Sequence, residues 1–317
     1  MPTAKICQQH LSETDSTNSQ LMAAMLASFG QVDAENQTLP NSSMNWQPQP
    51  HYTRPYRLTA DRQHAGRGQH GRVWQSPLGN LYYSLYIPSE KYADDAVRKT
   101  GWTLARPLDG RLSLCVGYQL AQLLAGKGMD TTRHHPAASS LGVKWVNDIG
   151  WYIGADFCKL AGILLEPVTA HGNMLGVVMG VGINVAHAPD LPPQAAVDYR
   201  AVALADVLAA AQLPPLADLA QAVDGALMQA VAQFNGLYDA QTVPIFCQQF
   251  ATVDLLLGKR VQVLPTQGDT PPIVGVGQGI DAAGCLQVRL SDCAHHATVT
   301  RIWNGRVRVL DAETLTI

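Results

Sequence analysis

The stretch from Leu141 to Val185 constrains the fold most. Three short β-like runs, Leu141 to Val146, Ile149 to Ile153 and Cys158 to Glu166, are separated by Asn147-Asp148 and by Gly154-Ala155-Asp156. Both separators are turn-formers. A further turn at His171-Gly172-Asn173 leads into a fourth run, Met174 to Val185. Connections this short cannot join parallel strands, which need a long crossover. The segment therefore predicts an antiparallel meander.

Helical spacing appears on either side of it. Asp15-Ser16-Thr17-Asn18 is a dense set of N-cap residues, and Leu21, Met22, Met25, Leu26 and Phe29 follow it at helical intervals, with Gly30 as a natural stop. Further helices are expected over about Leu112 to Leu124, 200–211, Leu216 to Phe234 and Pro244 to Leu256. Arg57 to Ala60 and Leu81 to Ile87 read as strands. Residues 31–57, rich in Asn, Gln, Ser and Pro, read as an irregular insertion with low order, and 186–198 as a mobile loop. From Lys259 the pattern changes to short strands at Arg260 to Leu264, Ile273 to Val276, Cys285 to Leu290 and Arg306 to Leu310. That pattern predicts a small β-barrel. The expected class is α+β: a mixed, largely antiparallel sheet with helices over residues 1–255, then the barrel over 256–317.

Composition narrows the function. The chain has 317 residues, 47% apolar and 15% charged, which suits a globular protein. A net charge of −3 argues against a general nucleic-acid coat or a polybasic membrane anchor. No apolar run approaches the roughly 20 residues of a membrane span, and Met1 to Lys5 leads into no signal-peptide core. The six cysteines (Cys7, Cys115, Cys158, Cys247, Cys285, Cys293) are scattered without a Cys-x-x-Cys, and read as free thiols in a reducing cytoplasm. His134-His135 and His295-His296 lack metal-ligand spacing and read as loop residues.

The segment from Gln63 to Pro77 carries Gly66, Gly68 and Gly71 among Arg67 and Arg72. Glycine lets backbone N–H groups approach a ligand, and guanidinium forks suit phosphate or carboxylate. By composition it is an anion-binding loop, although a solvated turn would have the same make-up. Ser16-Thr17-Asn18 serves either as a cap alone or as a contact for a ligand at a helix N-terminus. Lys144, at a strand end, either faces solvent or reaches into a site. Gly162 and Gly182 interrupt apolar strands, which suggests close approach by a ligand or another backbone. Asn184 places an amide in the same run as Gly182.

In order along the chain, Gly66 to Pro77, Lys144-Trp145-Val146-Asn147-Asp148, Lys159 to Glu166 and Gly180 to Val185 resemble the biotin protein ligases, with Ser16-Thr17-Asn18 before them and the small barrel after. Four ordered motifs are specific where the glycine loop alone would be weak. The resemblance implies a class II synthetase-like catalytic domain with an SH3-like C-terminal barrel. It implies ATP-dependent formation of biotinyl-AMP, then transfer of biotin to a lysine of a biotin carboxyl carrier protein, with Mg²⁺ arriving on the phosphates and no dedicated protein metal site. By resemblance Arg67 and Lys144 are the catalytic cations. Ser16, Thr17, Asn18, Gln63, Arg67, Gly68, Gln69, Lys144, Gly162 and Gly182 would line the biotin site. Arg67, Gly68, Gln69, Arg72, Trp74, Asn147, Lys159 and Asn184 would line the nucleotide site, and Asp148 would orient the incoming lysine amine.

Several departures stand out. Gln69 and His70 occupy positions where the family usually carries basic residues, Val146 replaces the usual proline, and the 31–57 insertion has no family counterpart. Only 15 residues precede Ser16, so no DNA-binding domain and no repressor activity are expected. A homodimer through the catalytic sheet is compatible with the resemblance. Two alternatives differ in chemistry: a lipoate–protein ligase, and a non-catalytic sensor of biotin or its adenylate.

Overall fold

The computed structural model describes residues 6–33, 46–190, 198–265, 271–290 and 298–310, and its first strand lies where the sequence is least legible. Cys7–Thr14 (β1) pairs in parallel with Tyr56–Gln63 (β2). Its half-buried side chains are Cys7, Gln9 and Leu11, so a glutamine hides the alternation that would announce a strand. Between the two strands, Thr17–Asp33 (α1) continues past Gly30. Leu81–Pro88 (β3) pairs antiparallel with β2 and is buried on both faces.

Alternation along β3 separates two environments. Leu81, Tyr83, Leu85 and Ile87 join the main core, while Tyr86 joins a second cluster with Leu21 and Met25 of α1. The short helix Asp95–Arg98 (α2) and the longer Arg111–Ala125 (α3) follow. The expected meander then forms: Gly142–Lys144 (β4), Asp148–Ile153 (β5), Asp156–Ala170 (β6) and Asn173–Ile183 (β7) pair antiparallel in succession. β7 closes onto β3, and Tyr199–Ala201 (β8) adds in parallel to β6. The sheet order is β1-β2-β3-β7-β6-β5-β4 with β8 beside β6, a mixed and mostly antiparallel sheet. Leu216–Asn235 (α4) packs with α3 over one face, and α1 covers part of the other.

After Thr242–Ala251 (α5), Val253 and Leu255 bond to Val143 of β4, and Gly258 turns the chain at φ 72°. A five-stranded antiparallel sheet follows, built from Arg260–Leu264 (β9), Ile273–Ile280 (β10), Leu286–Leu290 (β11), Val299–Ile302 (β12) and Arg306–Val309 (β13). Its order is β12-β11-β10-β9-β13. Val261, Val263, Leu286 and Val288 belong to the same core as α3 and α4, and Trp145 Nε1 donates to Gly284 O at 3.0 Å. The second sheet is therefore seated on the first body.

Several expectations change. No helix forms over 200–211. Tyr199–Ala201 is taken by the free edge of β6 at Phe157 to Lys159, and the rest forms short 3₁₀ turns at Leu204–Asp206 and Ala210–Gln212. The helix expected to reach Leu256 stops at Ala251, because residues beyond it bond to β4. The described part of the 31–57 insertion is packed: Trp46 and Tyr52 are buried against Tyr56 and Phe29. The described start of the 186–198 loop is pinned by Asn80, whose Oδ1 accepts from the backbone N–H of Val185, Ala186 and His187. Residues 34–45, 191–197, Cys293 and His295-His296 lie outside the described residues, as does Met1 to Lys5. Cys7, Cys115, Cys158, Cys247 and Cys285 carry free thiols. Among the described residues no helix is long and apolar enough to cross a membrane.

Candidate active site

The period of two that organises the sheet also builds a cleft on its α1 side. Gly162 pairs with Gly182, Leu164 with Gly180 and Glu166 with Val178 across β6 and β7, so the glycines line up on one face. Their missing side chains make room for the protein's own groups. A Cβ on Gly182 would lie 2.6 Å from Trp74 Cε2, and one on Gly162 2.8 Å from Trp74 Cζ3. The Trp74 indole therefore lies across both. A Cβ on Gly180 would lie 2.3 Å from Asn18 Oδ1. Close approach at these glycines was expected, but the partners are an indole and an amide of the chain itself.

At one end of the cleft stands a wall of neutral hydrogen-bonding groups. Ser16, Thr17 and Asn18 are nearly fully buried. Ser16 Oγ accepts from Ser19 N–H, a weak cap at 3.4 Å, whereas Thr17 and Asn18 turn toward the sheet. Gln63 Oε1 accepts from the N–H of Thr17 at 2.9 Å and from its hydroxyl at 3.1 Å, and Gln63 Nε2 donates to Ser76. Ser84 from β3 donates toward Asn18 Oδ1 at 2.5 Å and Thr17 Oγ1 at 2.8 Å. Asn18 Nδ2 donates to Glu166 Oε2 at 2.9 Å. Ser16 thus acts as the cap, while Thr17 and Asn18 line the cleft.

The glycine loop folds back on itself over the cleft. Gly68 N–H donates to Arg72 O, and Trp74 N–H to Gly66 O, both at 2.8 Å. Gly66 is required there, because a Cβ would lie 2.4 Å from Trp74 O. Arg67 pairs with Glu166 and donates to Ser19 Oγ. Gly68, Gln69 and Arg72 line the cleft with it.

Cations gather at the other end. Lys159 is re-aimed by a β-bulge: Asp148 pairs with Gly162 and Ile149 with Ala161, but Gly150 pairs with Lys159, leaving Leu160 as the extra residue. Strict alternation from Gly162 would turn Lys159 into the core. Instead its Nζ sits 2.7 Å from Asp148 Oδ1, 5.3 Å from the Trp74 ring centre and 4.9 Å from that of Tyr199. Lys144 is 7% exposed, with Nζ 4.8 Å from the Phe157 ring centre and 3.9 Å from Asp198 Oδ2. Burial lowers its pKa, with Asp198 and Asp148 working the other way. Burial opposes the charge of Asp198, but Lys144 and Arg306 outweigh it and hold that carboxyl below the usual range. Arg306 of β13 lies 3.1 Å from Asp198 and brings the second sheet to the cleft. Asn147 lines the cleft but spends its amide on Ile163 O.

Of the residues singled out in the sequence, the structure brings together all but one. Asn184 is buried away from the cleft, its Nδ2 donating to Val202 O at 3.0 Å, so it braces the β8 side and stands apart from the nucleotide group. The site also contains Glu166, Ser84, Ser76, Asp198 and Arg306. Glu166 was legible as the second cleft-facing position after Gly162, and Ser84 as a hydroxyl in an aromatic strand. Asp198 and Arg306 carry no local signal. Among the described residues, no group of three or more His, Cys, Asp or Glu is placed to hold a metal ion.

Such a cleft suits an elongated ligand with a neutral, hydrogen-bonding head and an anionic tail. Known proteins resemble the chain in sequence and in fold. The model of the biotin/lipoate A/B protein ligase family matches residues 29–184. The biotin--[acetyl-CoA-carboxylase] ligase of Mycobacterium tuberculosis is 31% identical over 235 residues, 73% of each chain. The bifunctional ligase/repressor BirA of Salmonella typhimurium is 38% identical over 128 residues, 40% of this chain and 32% of that protein. The chain thus matches about a third of the length of that relative. The structure of biotin protein ligase from Aquifex aeolicus in complex with biotin and ATP has the same fold, with a TM-score of 0.60 at 19% identity, covering 96% of this chain and 99% of that one.

Proposed function

The chain belongs to the biotin/lipoate A/B protein ligase family, and from that membership and its cleft we propose that it is a biotin–protein ligase. The observation that carries the reading is the polarity of the cleft. A neutral wall of Thr17, Asn18, Gln63 and Ser84 stands at one end, and Lys144, Lys159 and Arg306 stand at the other, with the Arg67 loop above. A neutral ureido head suits the first and a carboxylate meeting a triphosphate suits the second.

Two steps follow. An oxygen of biotin's carboxylate attacks the α-phosphorus of ATP; the new O–P bond gives biotinyl-AMP as the bond to pyrophosphate breaks. The ε-amine of a carrier lysine then attacks the acyl carbon, a C–N bond forms, AMP leaves and the amine loses a proton. Neither step needs a protein nucleophile. The enzyme positions two anions and stabilises charge at phosphorus. Four cations of the cleft are held by carboxylates: Lys159 by Asp148, Arg67 by Glu166, and Lys144 and Arg306 by Asp198. An incoming polyanion therefore meets oriented donors whose counterions it competes with. Asp148, beside Lys159, would orient the carrier amine. Mg²⁺ would travel with the phosphates and neutralise their charge; Asp148 and Asp198 are carboxylates that line the cleft.

The acceptor we propose is the biotin carboxyl carrier domain of a carboxylase, the class of partner in the name of the mycobacterial relative. The test is pyrophosphate release with ATP plus biotin against ATP plus lipoate, followed by label transfer to a carrier domain. Biotin-dependent release and transfer are expected. Release with lipoate alone would move the chain to the lipoate branch, and none with either would leave a sensor.

A further inference from the structure

We propose that Glu166 is a positioning residue that ties the two halves of the cleft together, one carboxylate oxygen fixing the Asn18 amide and the other holding Arg67 so that the glycine loop stays closed. Glu166 follows Gly162 by two full strand alternations and shares its cleft-side face. Its side chain is 19% exposed, on a strand flanked by partners on both sides. Oε2 accepts from Asn18 Nδ2 at 2.9 Å, and Oε1 pairs with Arg67 Nη2.

The chemistry of each partner makes the bridge directional. An ionised carboxylate only accepts, so it selects the NH₂ end of Asn18. The carbonyl end must then face Ser84, as observed at 2.5 Å. The head-group wall thus owes the orientation of one of its acceptors to β6, where Glu166 Oε2 at 2.9 Å is seconded by Leu164 O at 3.3 Å. On the other oxygen, Arg67 spends Nη2 on Glu166 and Nη1 on Ser19 Oγ, which anchors the loop to β6 and to the first turn of α1. An exposed ion pair alone would contribute little. Here the carboxylate is largely buried, has two donors, and sits on a paired strand.

The kinetic part rests on the proposed ligase reading; loop closure does not. Glu166→Gln in the full chain keeps the size of the side chain but leaves one acceptor for two donors. Hydrogen exchange of the 66–73 backbone, without ligands, is expected to rise about tenfold. Arg67→Met should reach the same rate, and the double variant should add nothing. Unchanged exchange in Glu166→Gln, or additive increases in the double variant, overturns the proposal. In the adenylation assay, KM for biotin and for ATP should rise together in Glu166→Gln, each by about tenfold, with kcat within about threefold. A fall in kcat at unchanged KM values also overturns it. Should the wild-type chain fail to adenylate biotin, the ligase reading falls, and the exchange comparison still decides the role of Glu166.

Discussion

Lys159 Nζ lies 2.7 Å from Asp148 Oδ1, although strand alternation would put the two side chains on opposite faces. The bulge at Leu160 brings them together. By resemblance Arg67 and Lys144 are the catalytic cations and Lys159 has only a place in the nucleotide site; the bulge adds Lys159 as a third cation facing the cleft. Lys144 is more enclosed, and burial weakens its charge.

Replacing Lys159 by Met should cut kcat/KM for adenylation by roughly 10²–10³, the usual effect of removing one donor aimed at developing charge. Pyrophosphate release measures it directly. A variant within threefold of wild type would take Lys159 out of the chemistry.

Gly182→Ala should displace the Trp74 indole, since the new Cβ falls 2.6 Å from Cε2. The neighbour is a rigid ring on the glycine loop, so the expected cost is about 1–3 kcal/mol together with weaker ligand binding. Denaturant unfolding and biotin titration of the same variant check both. Wild-type stability with wild-type affinity would mean the ring moves freely.

Gln69 brings a hydrogen-bonding amide, without charge, to the loop above the cleft. Restoring a cation with Gln69→Arg should slow escape of biotinyl-AMP by several-fold at least, since charge-assisted bonds to phosphate are about twice as strong as neutral ones. Single-turnover release in the absence of carrier is the measurement, and equal escape from both chains would refute the idea.

Asp254 carries a prediction about stability. It sits where α5 hands the chain to the second sheet, and burial raises its pKa to about 6 from a usual 3.8, with the N–H groups of Leu256 and Leu257 only partly opposing that. A carboxyl with a raised folded-state pKa binds an extra proton in the folded state. Its contribution is fully present below about pH 4 and is lost as pH rises through about 6. The charged form thus costs up to about 3 kcal/mol at neutral pH. Asp254→Asn keeps an acceptor for Leu256 N–H and removes the charge. It should match wild type near pH 4 and exceed it at pH 7, as read from urea unfolding at both values. A constant difference across that range would place the titration elsewhere.

Much of the fold was legible because it is local. Turn-formers of two or three residues dictated the antiparallel order of β4 to β7, and apolar spacing at 3.6 residues located α1, α3 and α4. The same held for the cleft where it depends on a loop or a cap: Ser16 to Asn18, Gly66 to Arg72, and Gly162 with Gly182 all reach it. Glu166 could have been read from the same alternation that marked Gly162.

What the tertiary structure alone decided are pairings between distant segments. β1 and β8 each add in parallel to an existing strand, and neither has the alternation or apolar content to declare itself. The bulge that aims Lys159, the burial that removes Asn184 from the cleft, and the meeting of Asp198 with Arg306 are equally non-local. Periodicity reports which face of an element is apolar. Register, bulges and charge pairing depend on which partner an edge finds, and that choice is made by hydrogen bonds and packing across the whole fold.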